Sequence, residues 1–161
     1  MVTASPDAYR AAMRQMASSV SVVTAAYGGR IHGMTATAVT SVSADPPTLL
    51  VAVNRTARSH AFVTSSGRFA VHVLNESQLA IASRFAAGID DQFAGCAYEL
   101  EPGGCPVLPD AAATFVCRAS SAYDVATHTL FIGTVESATN GGRPPLLYFD
   151  GAFVALAREP A

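Results

Sequence analysis

The sequence predicts a mainly β fold, a closed and chiefly antiparallel barrel with two or three short helices. Three observations carry this. Six or seven segments rich in Val, Thr, Ile and Phe are bounded by Gly, Pro, Asn or Asp. The helical stretches between them follow no regular βαβ alternation. The GxGxxG turn of a doubly wound nucleotide-binding sheet, the runner-up architecture, is missing, as is a Walker motif.

Each element has a local reason. Ser5-Pro6-Asp7 reads as a helix start, with Ser5 as N-cap, Pro6 at the first helical position and an acid in the first turn. The spacing of Tyr9, Met13 and Met16 puts them on one face and carries the helix to about Ala17. Ser19 to Tyr27 alternates with β-branched residues as a strand, and Gly28-Gly29 turns it back. Arg30 to Val42 and Thr48 to Asn54 are the next strands. Pro46 and Pro47 cannot continue a ladder, so they mark the corner between the two. Ser59 caps a short helix over His60 to Ser65, and Arg68 to Leu74 is a strand. Asn75-Glu76-Ser77-Gln78 has the form of a capping box, with Asn75 as cap and Gln78 at N3. The helix that follows reaches about Ala87 and stops at Gly88. Ile89 to Asp110, rich in Gly and Pro, is an irregular connection suited to face a substrate. Ala113 to Val125, Thr129 to Ala138 and Leu146 to Leu156 complete the strands, with a turn at Asn140-Gly141-Gly142. No repeat or linker divides the chain, so residues 1–161 read as one domain.

Composition narrows the functional classes. Half of the residues are hydrophobic and 14% are charged, yet no apolar run is of membrane-spanning length. Apolar surface hidden in a homodimer interface fits that balance. A formal net charge of −2 argues against a nucleic-acid footprint. Asp7, Arg10 and Arg14 interrupt the N-terminal apolar residues, so no signal-peptide core is read there. Cys96, Cys105 and Cys117 form no close pair and no zinc spacing, which fits a cytoplasmic protein without a metal site. Cys117, inside Phe115-Val116-Cys117, reads as a small buried hydrophobe.

The chemistry-bearing stretch runs from Gly33 to Asn54. Its small side chains let a flat ligand approach the backbone, and its hydroxyls bind oxygens without adding charge. Thr35, Thr37, Val39 and Ser41 share one strand face; Met34, Ala36, Ala38 and Thr40 share the other. Read by itself the pattern is also that of β-branched residues filling a strand. Asn54-Arg55-Thr56-Ala57-Arg58-Ser59 then sets a polar cluster before a helix, where unpaired N–H groups favour an anion. Arg55 and Arg58 add charge there, and Thr56 and Ser59 add donors. Arg84, in Ala82-Ser83-Arg84-Phe85-Ala86, either matches phosphate oxygens bidentately or is a solvated helix arginine beside a core Phe85. Of the four histidines, His32, His60 and His72 read as structural or exposed. His128 stands out within Ala126-Thr127-His128-Thr129-Leu130-Phe131-Ile132-Gly133.

Taken in order, these segments resemble the short-chain flavin reductases. Gly33 to Asn54 is similar to that family's flavin-lining segment, and Asn54 to Ser59 to its flavin-phosphate loop. Ala82 to Ala86 resembles a helix segment ending in Phe-Ala. Ala126 to Gly133 resembles a strand opening on Gly-Asp-His, with Ala126 and Thr127 in place of the Gly and Asp. Gly104-Cys105-Pro106-Val107-Leu108 resembles a Gly-x-Pro-x-Leu element, and Pro145 to Gly151 the last strand. His72 stands where the family usually has Asn.

The resemblance implies a split β-barrel and an NAD(P)H:flavin oxidoreductase. FMN or FAD would be the flavin, and NADH or NADPH the hydride donor. It implies a homodimer that passes reduced flavin to a partner monooxygenase. It further implies flavin contacts from Met34, Thr35, Ala36, Thr37, Ser41, Asn54, Arg55, Ser59, Ser83, Arg84, Phe85 and Tyr148, and a nicotinamide-positioning role for His128. Two alternatives stay open. One is a flavin-binding barrel without reductase activity. The other is an oxidase of a phosphorylated amine such as pyridoxamine phosphate, for which ten Lys and Arg are few.

Overall fold

The computed structural model describes residues 3–157. In chain order its elements begin with α1 (Pro6–Met13), β1 (Ser18–Ser19), β2 (Ser21–Tyr27), β3 (Arg30–Ala36), β4 (Val39–Ala44) and β5 (Pro47–Asn54). Next come α2 (Arg58–Ser66), β6 (Arg68–Val73), a 3₁₀ turn (Glu76–Gln78) and α3 (Leu79–Ala86). The chain ends with β7 (Glu99–Leu100), β8 (Pro106–Val107), β9 (Ala113–Val125), β10 (His128–Asn140), β11 (Leu147–Phe149) and β12 (Ala152–Val154).

One seven-stranded sheet runs in the order β3-β2-β6-β9-β10-β5-β4, with every neighbouring pair antiparallel. Its two edges, β3 and β4, are halves of one chain segment joined only by Thr37-Ala38. The sheet therefore curls until its edges meet, and covalent chain rather than a ladder crosses the seam. This is the expected mainly β, split-barrel arrangement, and the antiparallel order excludes a doubly wound sheet. β1, β11 and β12 form a small separate sheet beside it.

Successive strand residues point to opposite faces, and β2 is covered on both. Val23 joins Val51, Val53, Phe69, Val71, Cys117 and Phe131 in one core cluster. Its neighbour Val22 joins Leu74, Ala82, Phe85, Phe93, Leu108 and Leu146 in a second, on the side covered by α3. Burial is therefore unbroken from Ser21 to Ala25 and does not alternate.

The capping signals act as their residues predict. Ser5 Oγ accepts from the Ala8 amide at 3.2 Å. Asn75 Oδ1 accepts from the Ser77 amide at 2.7 Å, while Gln78 Oε1 accepts from the Asn75 amide at 3.0 Å. Gly28 and Gly29 both take left-handed φ, 59° and 73°, which closes the two-residue turn between β2 and β3.

Other elements correct the sequence reading. α1 ends at Met13, and Tyr9, Met13 and Met16 are exposed. The expected strand from Arg30 to Val42 breaks at Thr37-Ala38, because the same segment must leave one sheet edge and join the other. α2 starts at Arg58 with Ala57 at the cap position and no side-chain cap, so Ser59 lies inside the helix. Leu146 to Leu156 is no single strand: Asp150 and Gly151, at φ 48° and 84°, fold it into the β11–β12 hairpin. Ile89 to Asp110 holds the short β7–β8 ladder. Pro47 opens β5, a position where a missing N–H is tolerated.

Candidate functional site

β3 is an edge strand, so open space lies along it between α2 and α3. A cavity of about 350 Å³ there is lined by His32, Gly33, Met34, Thr35, Ala57, Arg58, Ser59, Phe85, Ala86, Gly88 and Gln92. A second, of about 360 Å³, shares Thr35 and Ala86 and continues past Ala36 and Thr37 to Tyr148, Gly151 and Phe153. A third, of about 510 Å³, shares Thr37, Tyr148 and Gly151 and reaches Arg10, Met13 and Arg14 on and after α1. Shared walls make the three one trough, running from the start of α2, past the bend at Thr37, to α1.

The trough owes its shape to close packing beneath it. Gly33 leaves no room for a side chain, since a Cβ there would stand 2.7 Å from the Phe85 ring. Phe85 is buried and packs edge-on against Phe93. The Thr35 hydroxyl donates to the Ala82 carbonyl at 2.6 Å, tying β3 to α3.

The α2 end of the trough is polar. Ser59 Oγ lies 2.9 Å from His32 Nδ1, and the imidazole packs on Phe62. Burial, then the charges of Arg58 and Arg30, hold the His32 imidazole below its ordinary range. Arg58 pairs with Asp90 at the mouth. At the α1 end, Arg14 Nε donates to Asp150 Oδ1 at 3.1 Å.

A second polar cluster sits where β5 leads into α2. Asn54 and His128 are opposed in the β5–β10 ladder. Asn54 Oδ1 accepts from the Thr56 amide and hydroxyl, both at 2.9 Å. The Arg55 amide donates to the Thr127 carbonyl at 3.0 Å, and its guanidinium to the Ala126 carbonyl at 2.8 Å. The Thr129 hydroxyl donates to Asp124 Oδ1 at 2.6 Å. Its single proton is thereby used, so at 2.8 Å it accepts from His60 Nε2–H. Thr127 Oγ1 stands 2.9 Å from His128 Nδ1.

The expected site residues thus divide. Met34, Thr35, Ala36, Thr37, Ser59, Phe85 and Tyr148 line the trough. Asn54, Arg55 and His128 form the second cluster. Ser41 and Ser83 are exposed and line none of the three cavities. Arg84 donates to the carbonyls of Gln92 (2.6 Å), Asp91 (3.3 Å) and Ala94, so its guanidinium closes the 91–94 turn. His32, Gly88, Gln92 and the α1 arginines escape sequence reasoning. What joins them is the edge position of β3, which no local pattern records.

Among the described residues, no three His, Cys, Asp or Glu side chains gather as a metal site. No described helix is long and apolar enough to cross a membrane.

Residues 13–157 match the family described as flavin reductase like domain. The chain is 39% identical over 149 residues to a probable flavin reductase of Rhizobium meliloti (strain 1021), covering 92% of this chain. It spans about half, 48%, of that relative's length. It is 38% identical over 154 residues to the reductase component of the FADH(2)-dependent resorcinol hydroxylase of Rhizobium sp. (strain MTP-10005), covering 92% of this chain and 86% of that protein. Among solved structures it is similar to the Streptomyces globisporus NADH:FAD oxidoreductase SgcE6 in complex with NAD and FAD fragments. The TM-score is 0.92 at 31% identity, with 100% of each chain covered.

Proposed function

The chain belongs to the family of flavin reductase like domains, and from that premise we propose that it is an NAD(P)H:flavin oxidoreductase acting as a single domain. The observation that carries this reading is the trough. Its residues fit a flavin: Gly33, Ala36 and Ala86 keep the wall low enough for a flat ring, and His32, Arg58 and Ser59 offer donors and charge to a phosphate.

Bound flavin supplies a hydride acceptor for reduced nicotinamide. The chain's own contribution is placement. Ser59 and Arg58 hold the phosphate end. Thr35, Ala36, Thr37 and Tyr148 border the middle of the trough. His128, fixed to Asn54 and the α2 entrance, positions the nicotinamide. The reading asks for no nucleophile and no strong general base.

The flavin is FMN or FAD and the donor NADH or NADPH. The SgcE6 complex, with its NAD and FAD fragments, supports that pairing. Reduced flavin passes to a partner monooxygenase, a role the resorcinol hydroxylase reductase component supports. The working unit is a homodimer: Tyr9, Met13, Met16, Tyr148 and Phe149 leave apolar surface near the α1 end that a second copy would cover. Three free thiols fit a cytoplasmic setting.

The test is steady-state oxidation of NADH and NADPH with FMN, FAD and riboflavin varied in turn, beside equilibrium flavin binding. Flavin-dependent oxidation is expected. Flavin binding with no oxidation of either nicotinamide would assign a binding protein instead. Failure of both FMN and FAD to bind at tens of micromolar, roughly the weak end of a specific site, would overturn the reading. Sedimentation as a monomer at every accessible concentration would remove the dimer.

A further inference from the structure

At the α2 end of the trough, His32 and Ser59 meet through Nδ1 and Oγ, 2.9 Å apart. Ser59 is 3% exposed, so few other partners compete for its hydroxyl. The charged surroundings of the imidazole are cationic. Arg30 lies on the same strand, its guanidinium 6.0 Å from the Phe62 ring that also packs on His32. Arg58 comes from α2. Beyond the mouth, Asp90 pairs with Arg58, and Asp91 is turned to the Ala94 amide. β2 sets uncharged Ala25 opposite His32, and α3 adds only Phe85 and Ala86 to the cavity wall. Half-burial beside two cations holds the imidazole below its ordinary range, which favours its neutral form in the free protein.

Resting on the flavin reading above, we propose that His32, acting through Ser59, is a positioning group for the flavin phosphate and takes up one proton from solvent as that phosphate binds. In the free protein the Ser59 hydroxyl donates to the neutral Nδ1. A phosphate seated beside Ser59 and Arg58 places negative charge next to the ring, which favours the imidazolium. Nδ1–H then donates to Ser59 Oγ. The Ser59 hydrogen, released from the ring, turns to a phosphate oxygen. One proton enters and none leaves, so the hydrogen bond between the two side chains reverses direction. The same phosphate competes with Asp90 for Arg58. The site therefore discriminates phosphorylated flavin from riboflavin by charge, and does so less well as pH rises.

Isothermal titration calorimetry at about pH 7.5, in buffers of different ionisation enthalpy, reads the proton directly. FAD is the cleaner probe, because the FMN phosphate itself titrates near pH 6. We expect uptake of a substantial fraction of one proton per FAD, and none per riboflavin. His32→Asn, whose amide can keep the contact to Ser59, is expected to abolish the uptake. The wild-type Kd for FAD should rise severalfold, at most about tenfold, per pH unit above neutrality, with riboflavin flat. Equal proton uptake in wild type and His32→Asn would overturn the assignment. So would an FAD Kd independent of pH, a measurement that decides the matter even if the variant does not fold. Binding of FAD and FMN without proton uptake sinks the His32 role alone; failure of both to bind sinks the flavin reading together with it.

Discussion

Gly33 and Phe85 meet in the wall of the trough, where a Cβ on Gly33 would stand 2.7 Å from two carbons of the Phe85 ring. The ring is 2% exposed and held edge-on by Phe93, so it has little room to retreat. Gly33→Ala should overpack the β3–α3 contact and cost about 1–3 kcal/mol of stability. A lowered denaturation midpoint, with a raised flavin Kd, is the expected result. An unchanged midpoint would mean that α3 shifts freely.

His128→Ala should weaken reduction by NAD(P)H and leave flavin binding nearly intact. A positioning contact is worth roughly tenfold in kcat/KM, about 1.4 kcal/mol; an essential proton donor would cost 10²–10⁴-fold. Stopped-flow hydride transfer beside a flavin titration separates the two. Loss of flavin binding instead would place His128 at the flavin end of the site.

Ser59→Ala and Arg84→Ala should diverge. Ser59 lines the trough, so its loss should raise the flavin Kd by about 1.5–3 kcal/mol, the range for a hydrogen bond to a charged group. Arg84 serves three carbonyls of the 91–94 turn. Arg84→Ala should first loosen that turn, seen as faster limited proteolysis between Ile89 and Cys96. A raised flavin Kd with unchanged proteolysis would return Arg84 to the phosphate.

Acid should act through His72. Its Nε2 lies 3.1 Å from Thr24 Oγ1, whose proton goes to the Pro106 carbonyl at 2.5 Å, so Nε2 is the donor. Burial pushes the imidazole down from 6.5 to about 4, against a smaller opposing effect of the Pro106 backbone. The folded chain then binds fewer protons than the unfolded one. The contribution is intact above pH 6.5, shrinks as pH falls towards 4, and is constant below. The loss is on the order of 3 kcal/mol. Denaturant titrations at pH 7 and 4.5 should show it in the wild type, and His72→Asn should lose less between the same two pH values. Equal losses would exclude His72 as the group responsible.

Thiol reactivity should sort by burial. Burial raises the Cys105 thiol to about 11 and the Cys117 thiol to about 12, while Cys96 is half-buried. A thiol reagent near neutral pH should modify Cys96 first and the other two only after unfolding. Rapid modification of Cys105 or Cys117 in the folded chain would show that the cores open locally.

Much of this protein follows from its sequence alone, because many of the deciding forces are local. Ser5, Gly28-Gly29 and the Asn75–Gln78 box act within a few residues. The ordered motifs were legible for a related reason: each is a short segment whose chemistry is its own. What only the tertiary structure decided involves partners distant in the chain. His32 meets Ser59 across 27 residues, and Asn54 meets His128 only through the β5–β10 register. Arg84 reaches the Gln92 and Ala94 carbonyls only because the 91–94 turn folds back onto α3. The deepest case is the segment from Arg30 to Ala44. Its residues specify extended chain, but the curl of five other strands makes its two halves opposite edges of one sheet. That closure forces the break at Thr37-Ala38 and leaves open space beside the β3 edge. Edge position is a property of the whole ladder, so no pattern within the segment can encode it.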